Sequence, residues 1–263
     1  MSSFKDILYV KEAGIARITI NRPEVLNSFR SLTLHEIHQA FIDAGQDNRV
    51  GVIVLGGAGG KAFCSGGDVE EMSALTSTTG RIFLGKLWNI FQLMRGAGKP
   101  VLAAVDGYCL GGGNEFNMMC DLTIATEKSF FGQVGPRVGS SPILGATQLL
   151  PRTVGEKRAR EIVYLCQRYS AKQALEWGWI NRMVADAGEL EKAVTEWCER
   201  ILSMSPQALR IAKLSFNFAS DELLPSYLHG IDILCSAYGS EELVEGMKAF
   251  LEKRPANFAQ FRK

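Results

Sequence analysis

The chain has 263 residues, 46% of them apolar and 22% charged, so it can bury a sizeable core and has neither a disordered nor a collagen-like composition. Its formal net charge of +1 excludes an overall field that would attract nucleic acid or an anionic membrane surface. No apolar run approaches the ~20 residues that span a bilayer, and no apolar signal segment stands near Lys5 and Asp6. We therefore expect a cytoplasmic protein without nucleic-acid or membrane partners.

The six cysteines lie at irregular spacings and include no CxxC pair. Several of them stand inside apolar stretches, where a free thiol packs as a small hydrophobic side chain. This distribution predicts buried free thiols rather than disulfides.

The first half of the chain alternates strand and helix signals, which is typical of an α/β domain. The turn signal Glu12-Ala13-Gly14 predicts that the first two strands form a hairpin. The predicted strands cover residues 7–10, 15–20, 50–55, 100–105 and 122–125. The predicted helices cover residues 32–44 and 81–94, and a third one runs to Cys120.

After about Leu149 the pattern predicts helices alone, with polar caps and amphipathic faces. These helices cover residues 156–166, 170–177, 190–204, 206–219 and 241–252. We expect a core over residues 1–200 and a helical C-terminal region over residues 201–263. That region is too small for an independent enzyme, so it should close over the core or pack between subunits.

Two glycine-rich passages are the main indication of a catalytic site in the sequence. One is Lys-Ala-Phe-Cys-Ser-Gly-Gly-Asp at residues 61–68, and the other is Asp-Gly-Tyr-Cys-Leu-Gly-Gly-Gly-Asn-Glu at residues 106–115. The second follows a buried strand and precedes a helix, where free N–H groups suit the negative charge that develops on a carbonyl oxygen. The alternative for either passage is a tight turn that only packs helix on strand.

Other site motifs are not supported by the sequence. Gly59-Gly60-Lys61 is followed by Ala62 instead of Ser or Thr, which excludes a phosphate-binding P-loop, and the triple glycine lacks the GxGxxG spacing of dinucleotide sites. The three histidines show no metal-ligand spacing, and no GxSxG elbow is present. The sequence thus predicts no metal site.

The two glycine-rich passages resemble the two oxyanion-hole segments of the crotonase (enoyl-CoA hydratase/isomerase) superfamily. The resemblance covers nearly the whole chain and implies an α/β fold, a crotonase-like ββα spiral core with a helical C-terminal trimerisation region. It also implies an acyl-CoA substrate and a homotrimer or a dimer of trimers. Further matching motifs are Asn21-Arg22-Pro23, Leu26-Asn27, Lys99-Pro100-Val101, Cys120-Asp121, Phe131-Gly132-Gln133 and Lys253-Arg254-Pro255.

The resemblance also assigns roles to individual residues. The backbone N–H groups of Gly67 and Gly112 would donate to the thioester oxygen. The substrate would carry coenzyme A, and no other cofactor is expected. The coenzyme A contacts implied by the family are Leu26, Ala62, Gly66 and Asp68 near the first glycine passage, and Lys253 and Phe258 near the end of the chain. A neighbouring subunit can supply the last two. For Asp68, anchoring of its loop is the alternative role.

Two positions at which the family's hydratases carry glutamates limit which of the family's reactions the chain can catalyse. The first glutamate is present as Glu115, whereas Gly135 stands in place of the second. The stretches 131–140 and 155–169 are together similar to 1,4-dihydroxy-2-naphthoyl-CoA synthase and 2-ketocyclohexanecarboxyl-CoA hydrolase, which make or break a ring C–C bond beside the thioester. In that branch, Ser140 matches a site serine and Tyr238 a tyrosine donated late in the chain. The alternatives are a turn residue for Ser140 and a packed core aromatic for Tyr238.

The chain departs from that branch as well, because it keeps Glu115 and has Ser141-Pro142 where the branch has an aspartate. Three hypotheses therefore stay open. The chain acts as a lyase or hydrolase on a C–C bond of a cyclic β-ketoacyl-CoA, or as an enoyl-CoA hydratase or isomerase with Glu115 as acid and base. The third is an acyl-CoA-binding subunit without catalysis.

Overall fold

A computed structural model describes residues 4–262. Within this range the strands form one six-stranded and one four-stranded sheet, in the orders β1-β2-β3-β5-β7-β10 and β4-β6-β8-β9. The strands are β1 (Ile7–Glu12), β2 (Ile15–Ile20), β3 (Val52–Gly57), β4 (Ala62–Cys64), β5 (Val101–Val105), β6 (Tyr108–Leu110), β7 (Leu122–Thr126), β8 (Phe130–Gly132), β9 (Tyr169–Ser170) and β10 (Arg182–Val184).

The helices lie around these two sheets. They are α1 (Ser31–Gln46), α2 (Val69–Ser73), α3 (Ser77–Gly96), α4 (Gly112–Met119), α5 (Leu150–Val154), α6 (Glu156–Leu165), α7 (Ala171–Glu176), α8 (Ala187–Leu202), α9 (Pro206–Phe218), α10 (Leu224–Ala237) and α11 (Glu241–Leu251). No helix within residues 4–262 combines the length and the apolar character needed to cross a membrane.

The larger sheet starts as the predicted hairpin. Ala13 and Gly14 both have positive φ, 50° and 82°, which is the backbone of the tight turns that favour antiparallel pairing of β1 with β2. From β2 onward the neighbours β3, β5 and β7 are parallel. The apolar side chains of β3 and β5 are buried, apart from the partly buried Ala104, as expected for strands covered on both faces.

The two sheets are built by a repeated unit. Each of the pairs β3–β4, β5–β6 and β7–β8 contributes its first strand to the larger sheet and its second to the smaller one. Helices follow the first two pairs directly, as α2 with α3 and as α4. This repetition is the predicted ββα spiral, and it places the ends of β4 and β6 side by side in the smaller sheet.

The C-terminal helices share the core of the sheets. Buried residues of α10 and α11, among them Ile231 and Met247, belong to the same apolar cluster as the strands of the larger sheet. Lys213 of α9 reaches the sheet as well, because its Nζ donates to the Lys99 carbonyl at 2.9 Å and to Asp121 Oδ2 at 2.7 Å. The helical C-terminal region is therefore present, while its boundary at residue 201 stays a prediction.

The expectation of helices alone after Leu149 is wrong. Two short strands, β9 and β10, lie in this half and extend the two sheets, antiparallel to β8 and parallel to β7. They are two and three residues long. So short a strand shows no clear alternation of apolar and polar residues, and the helical periodicity on either side of it dominates the sequence. The prediction of free cysteines is confirmed, since all six are free thiols and five of them are buried.

Candidate active site

The first glycine passage lies at the end of β4 and is held by the backbone of Phe29. The Phe29 N–H donates to the Gly66 carbonyl at 2.9 Å, and the Asp68 N–H donates to the Phe29 carbonyl at 2.8 Å. Gly67 stands between these two bonds, and its own N–H donates to no other group in residues 4–262. The structure therefore presents an N–H donor at Gly67 that is free to meet a ligand.

The second passage forms the junction of β6 and α4. Gly111 has φ +54°, a left-handed backbone that favours glycine, and its N–H donates to the Gly132 carbonyl at 2.9 Å. At Gly113 a Cβ would lie 2.0 Å from the Cys64 carbonyl oxygen, so no side chain fits there. Gly112 is the first residue of α4, and its N–H is unpaired among the described residues, as is usual at a helix start.

The two passages meet each other. A Cβ at Gly66 would lie 3.2 Å from the Gly112 nitrogen, and one at Gly112 would lie 3.6 Å from the Gly66 Cα. Because β4 and β6 are parallel neighbours, both passages leave the smaller sheet at the same edge. Two backbone donors without a partner in residues 4–262, Gly67 and Gly112, thus stand on adjacent segments.

Glu115 lies one turn into α4 and is 7% exposed. Its Oε1 accepts a hydrogen bond from the Leu144 N–H at 2.7 Å. Burial away from water raises the pKa of Glu115 to about 8, against the lowering effect of the Leu144 N–H. The side chain is accordingly a protonated carboxylic acid at neutral pH, and it can give a proton to a reacting group.

Gly135 and Ser140 close a turn after β8. Gly135 begins a 3-10 helix that ends at Val138, and the Ser140 N–H donates to the Gly135 carbonyl at 3.0 Å. A Cβ at Gly135 would lie 3.2 Å from the Ser140 carbonyl oxygen. The turn thus has little space for a longer residue, and Ser140 is partly exposed without a side-chain hydrogen bond inside the described chain.

Tyr238 caps the C-terminal end of α10 and is 4% exposed. Its hydroxyl has no hydrogen-bond partner in the part of the chain described, and its ring packs against Gly80 of α3. Burial raises its pKa, and the charges of Cys235 and Glu115 add to the increase. Tyr238 is therefore both a packed aromatic side chain and an unused donor in the electrostatic range of Glu115.

The loop that carries Leu26 is joined to the first glycine passage. The Ser65 N–H donates to the Leu26 carbonyl at 3.1 Å, and the buried Asn27 donates through Nδ2 to the carbonyls of Ala58 and Ala62. Leu26 is 36% exposed, whereas Ala62 is buried at 1%. Of these two predicted coenzyme A contacts, only Leu26 has a solvent-exposed side chain. Asn27 holds the loop in place through its hydrogen bonds, a role that the sequence did not indicate.

Asp68 occupies a structural position. Its Oδ1 accepts from the N–H groups of Glu70 and Glu71 at the start of α2, and its Oδ2 accepts from Arg22 Nη1 at 3.0 Å. These contacts use the carboxylate to cap the helix and to hold the Arg22 guanidinium, which is the anchoring role weighed as the alternative.

Lys253 and Phe258 lie beyond α11. Lys253 is exposed with φ +54°, and Phe258 begins a partly buried 3-10 helix. Their neighbour Arg254 is paired with Glu245 at 2.6 Å, and this pairing with the Asn257 N–H lowers the pKa of Glu245 to about 2. No hydrogen bond or ion pair among residues 4–262 brings this segment to Leu26 or Ala62.

Gln133 is a further polar residue near the turn. It is 1% exposed, and its Nε2 finds no partner in the chain as described. It lies two residues before Gly135, within the Phe-Gly-Gln motif, and that motif was the only signal for it in the sequence. A buried amide that lacks a partner is available to an ordered water or a small ligand.

Comparison with known proteins assigns the chain to a family. The family model described as enoyl-CoA hydratase/isomerase matches residues 10–262. The chain belongs to the enoyl-CoA hydratase/isomerase family, an assignment that makes it an acyl-CoA enzyme of the crotonase superfamily.

Solved structures of relatives cover almost all of the chain. An enoyl-CoA hydratase/isomerase from Xanthobacter autotrophicus is 32% identical over 99% of this chain and 100% of its own, with a TM-score of 0.87. An enoyl-CoA hydratase from Mycobacterium avium subsp. paratuberculosis is 30% identical over 97% and 99%, also with a TM-score of 0.87. One from Bacillus anthracis is 29% identical over 97% and 99%, with a TM-score of 0.78. The predicted α/β fold, with a crotonase-like ββα spiral core and a helical C-terminal region, is thereby confirmed, whereas trimerisation through that region stays a prediction.

Proposed function

We propose that the chain binds an acyl-CoA thioester, holds its oxygen with the N–H groups of Gly67 and Gly112, and uses Glu115 to transfer a proton to or from the enolate. The observation that carries this proposal is the position of Glu115, a buried acid one turn after a free N–H at the start of the same helix. Each such N–H donor lowers a barrier by about 2.7–4 kcal/mol when it is aimed at the developing oxyanion. Coenzyme A enters and leaves as part of the substrate.

The finer proposal is that the enzyme breaks or makes a C–C bond of a cyclic β-ketoacyl-CoA. It is supported by Gly135, which puts no carboxylate at the position where two-carboxylate hydratases of the family have their second one. It is also supported by the unpartnered Gln133 amide beside that glycine, which can hold water or a small anion.

In the hydrolytic direction, water adds to the ring carbonyl and the bond from that carbon to the α-carbon breaks. The electron pair of this bond forms the thioester enolate, whose oxygen accepts from Gly67 and Gly112. Glu115 gives its proton to the α-carbon, and the proton lost by the water restores Glu115. The ring carbonyl carbon becomes a carboxylic acid. Condensation is the reverse of these steps.

Hydration of an enoyl-CoA is the second candidate. It is supported by relatives that are named enoyl-CoA hydratases and by the pKa of Glu115, which at about 8 is close enough to neutral pH for one residue to act in turn as base towards water and as acid towards the α-carbon. In this reaction the hydroxyl group adds to the β-carbon and the proton to the α-carbon, and the same two N–H groups stabilise the enolate between these steps.

The two reactions are separated by mass spectrometry of parallel incubations with crotonyl-CoA and with 2-ketocyclohexanecarboxyl-CoA. Ring opening of the second thioester alone supports C–C cleavage, and the Glu115→Gln variant should then lose it. Gain of water by crotonyl-CoA alone replaces that proposal with hydration. Binding of both thioesters without change in either supports a non-catalytic acyl-CoA-binding subunit.

We also propose that the chain assembles as a homotrimer or a dimer of trimers in the cytoplasm. The support is a set of large apolar side chains on α9 that no other part of residues 4–262 covers. These side chains are 50–79% exposed: Ile211, Leu214, Phe216 and Phe218. Light scattering on the purified protein tests the assembly, and a monomer at micromolar concentration would contradict it.

A further inference from the structure

The ring of Phe29 lies against both oxyanion-hole glycines. A Cβ at Gly112 would lie 2.6 Å from Phe29 Cζ and 2.7 Å from its Cε1, and a Cβ at Gly67 would lie 3.6 Å from its Cε2. The ring therefore fills the space on the side-chain face of Gly112 and is within van der Waals distance at Gly67, where the atom nearest to the added Cβ is Met72 Sδ at 2.3 Å. Phe29 is 2% exposed, so the ring has no freedom to move into solvent.

The same residue is attached to both passages. Its backbone is paired with the first passage through the hydrogen bonds to Gly66 and from Asp68. Its ring meets Phe116 edge to face, with the centroids 5.5 Å apart, and Phe116 lies on α4 four residues after Gly112. On α3, Phe83 stacks against the ring at 6.2 Å. Phe29 thus contacts both passages, and its rigid ring couples the position of one passage to that of the other.

We propose that Phe29 is a positioning residue of the oxyanion hole, whose ring sets the separation of the Gly67 and Gly112 N–H groups. This inference rests on the proposed function, because it requires these two groups to bind the thioester oxygen. An oxyanion donor is effective when it lies 2.7–3.1 Å from the oxygen, so a small change in the separation weakens one of the two bonds. Phe29 itself does not contact the reacting atoms.

A smaller or flexible side chain at this position should loosen the spacing without removing either donor. Leucine lacks the outer ring atoms Cε1 and Cζ that meet Gly112, and methionine fills most of the volume without a fixed plane. Phe91→Leu is the matched control. Phe91 is equally buried and packs on Phe116 at 5.4 Å, but it is not among the nearest atoms at either glycine.

The experiment is difference infrared spectroscopy of acetyl-CoA, isotope-labelled at its carbonyl carbon, bound to the wild type and to the three variants. Hydrogen bonds to the thioester oxygen lower its C=O stretching frequency. We expect a lowered frequency in the wild type and in Phe91→Leu, and a value nearer to that of free acetyl-CoA in Phe29→Leu and Phe29→Met. With a thioester that the enzyme converts, kcat should fall by about 10²-fold in the Phe29 variants, while the dissociation constant changes little.

The outcomes separate the two proposals. If binding to the wild type leaves the C=O frequency unchanged, the proposed oxyanion hole does not bind the thioester oxygen, and the role proposed for Phe29 is overturned as well. If the wild type lowers the frequency and both Phe29 variants lower it equally, only the role of Phe29 is overturned. Circular dichroism establishes that each variant is folded, and Phe29→Met decides the question if Phe29→Leu does not fold.

Discussion

The carboxyl group of Glu115 and the backbone N–H of Leu144 meet at 2.7 Å, across 29 positions of the sequence. The loop that carries Leu144 is itself fixed, because the Gly145 N–H donates to Gln148 Oε1 at 3.1 Å and Gln148 Nε2 reaches Ser226. Ser226 belongs to α10, so the helical C-terminal region holds the loop that orients the acid of α4. This chain of contacts links the orientation of Glu115 to the packing of that region.

The first prediction concerns the proton that Glu115 carries. Glu115→Gln keeps the size of the side chain but removes the acid, so turnover should fall by about 10²–10⁴-fold while thioester binding remains. In the wild type, activity should decline as the pH rises through about 8, because the acid is then lost. Steady-state rates between about pH 6 and 10 measure this.

The matched control is Glu36→Gln. Glu36 is also buried, at 5%, and accepts the backbone N–H groups of Lys5 and Asp6, with no hydrogen bond to either glycine passage within residues 4–262. This variant should keep the activity and the alkaline decline of the wild type. An equal loss of rate in both variants would contradict the assigned role of Glu115.

The second prediction concerns stability. The folded-state pKa of Glu115, about 8, lies above its ordinary value of 4.5, so the folded protein holds this proton more tightly than the unfolded chain. Its contribution to the free energy of unfolding is complete below pH 4.5 and is lost progressively until the pH passes about 8. The total loss is on the order of 3–5 kcal/mol.

Glu115→Gln should remove this part of the pH dependence. Urea unfolding at about pH 5 and about pH 9 measures it as the difference between the wild type and the variant, which cancels the other titrating groups. The variant should gain stability relative to the wild type at the higher pH. A difference that does not change with pH would show that Glu115 is hydrated or ionised in the folded protein.

The sequence predicts some of these features and not others, for physical reasons. The strands β3 and β5 are continuous apolar runs, and the glycines at residues 66–67 and 111–113 mark the two donor segments directly. The strands of the smaller sheet have two or three residues each, so their pairing is decided by the packing of the whole spiral and carries no periodic signal. Only the resemblance to the family indicated that sheet.

Contacts between distant residues could not be predicted either. Nothing in the local sequence at Leu144 shows that its N–H meets Glu115, and Phe29 looks like any core aromatic residue beside a helix start. In each case the partner that decides the role lies in a distant part of the sequence. The type of residue at the site was therefore predictable, whereas its orientation and its supports were not.

The third prediction concerns Tyr238. Its buried hydroxyl has no partner in the described chain, so Tyr238→Phe should leave the free energy of unfolding unchanged or raise it by about 1 kcal/mol. If the hydroxyl donates to the bound substrate, turnover should fall in the same variant. Urea unfolding and steady-state kinetics on one preparation measure both quantities.

Tyr169→Phe is the control for this variant. The hydroxyl of Tyr169, on β9, donates to Glu161 of α6 at 3.1 Å, so its removal should lower stability slightly and leave turnover unchanged. If Tyr238→Phe is as active as the wild type, its hydroxyl has no part in the reaction and Tyr238 serves only in packing.

The fourth prediction concerns the attachment of α9 to the sheet. Lys213 is 6% exposed, and its ammonium group donates to Asp121 Oδ2 and to the Lys99 carbonyl, next to the N-terminal end of β5. Lys213→Met keeps the aliphatic stem but leaves both acceptors without their cation. The free energy of unfolding should fall by roughly 1.5–3 kcal/mol, since hydrogen bonds to charged groups are worth that much.

Lys192→Met provides the comparison, because the Lys192 ammonium pairs with Glu189 on the exposed face of α8, where water replaces the lost contact. This variant should unfold at the same urea concentration as the wild type. The two methionine variants remove the same charge from the chain, so any difference between their midpoints arises from the surroundings of each lysine. Equal midpoints would mean that the contacts of Lys213 do not stabilise the attachment of α9.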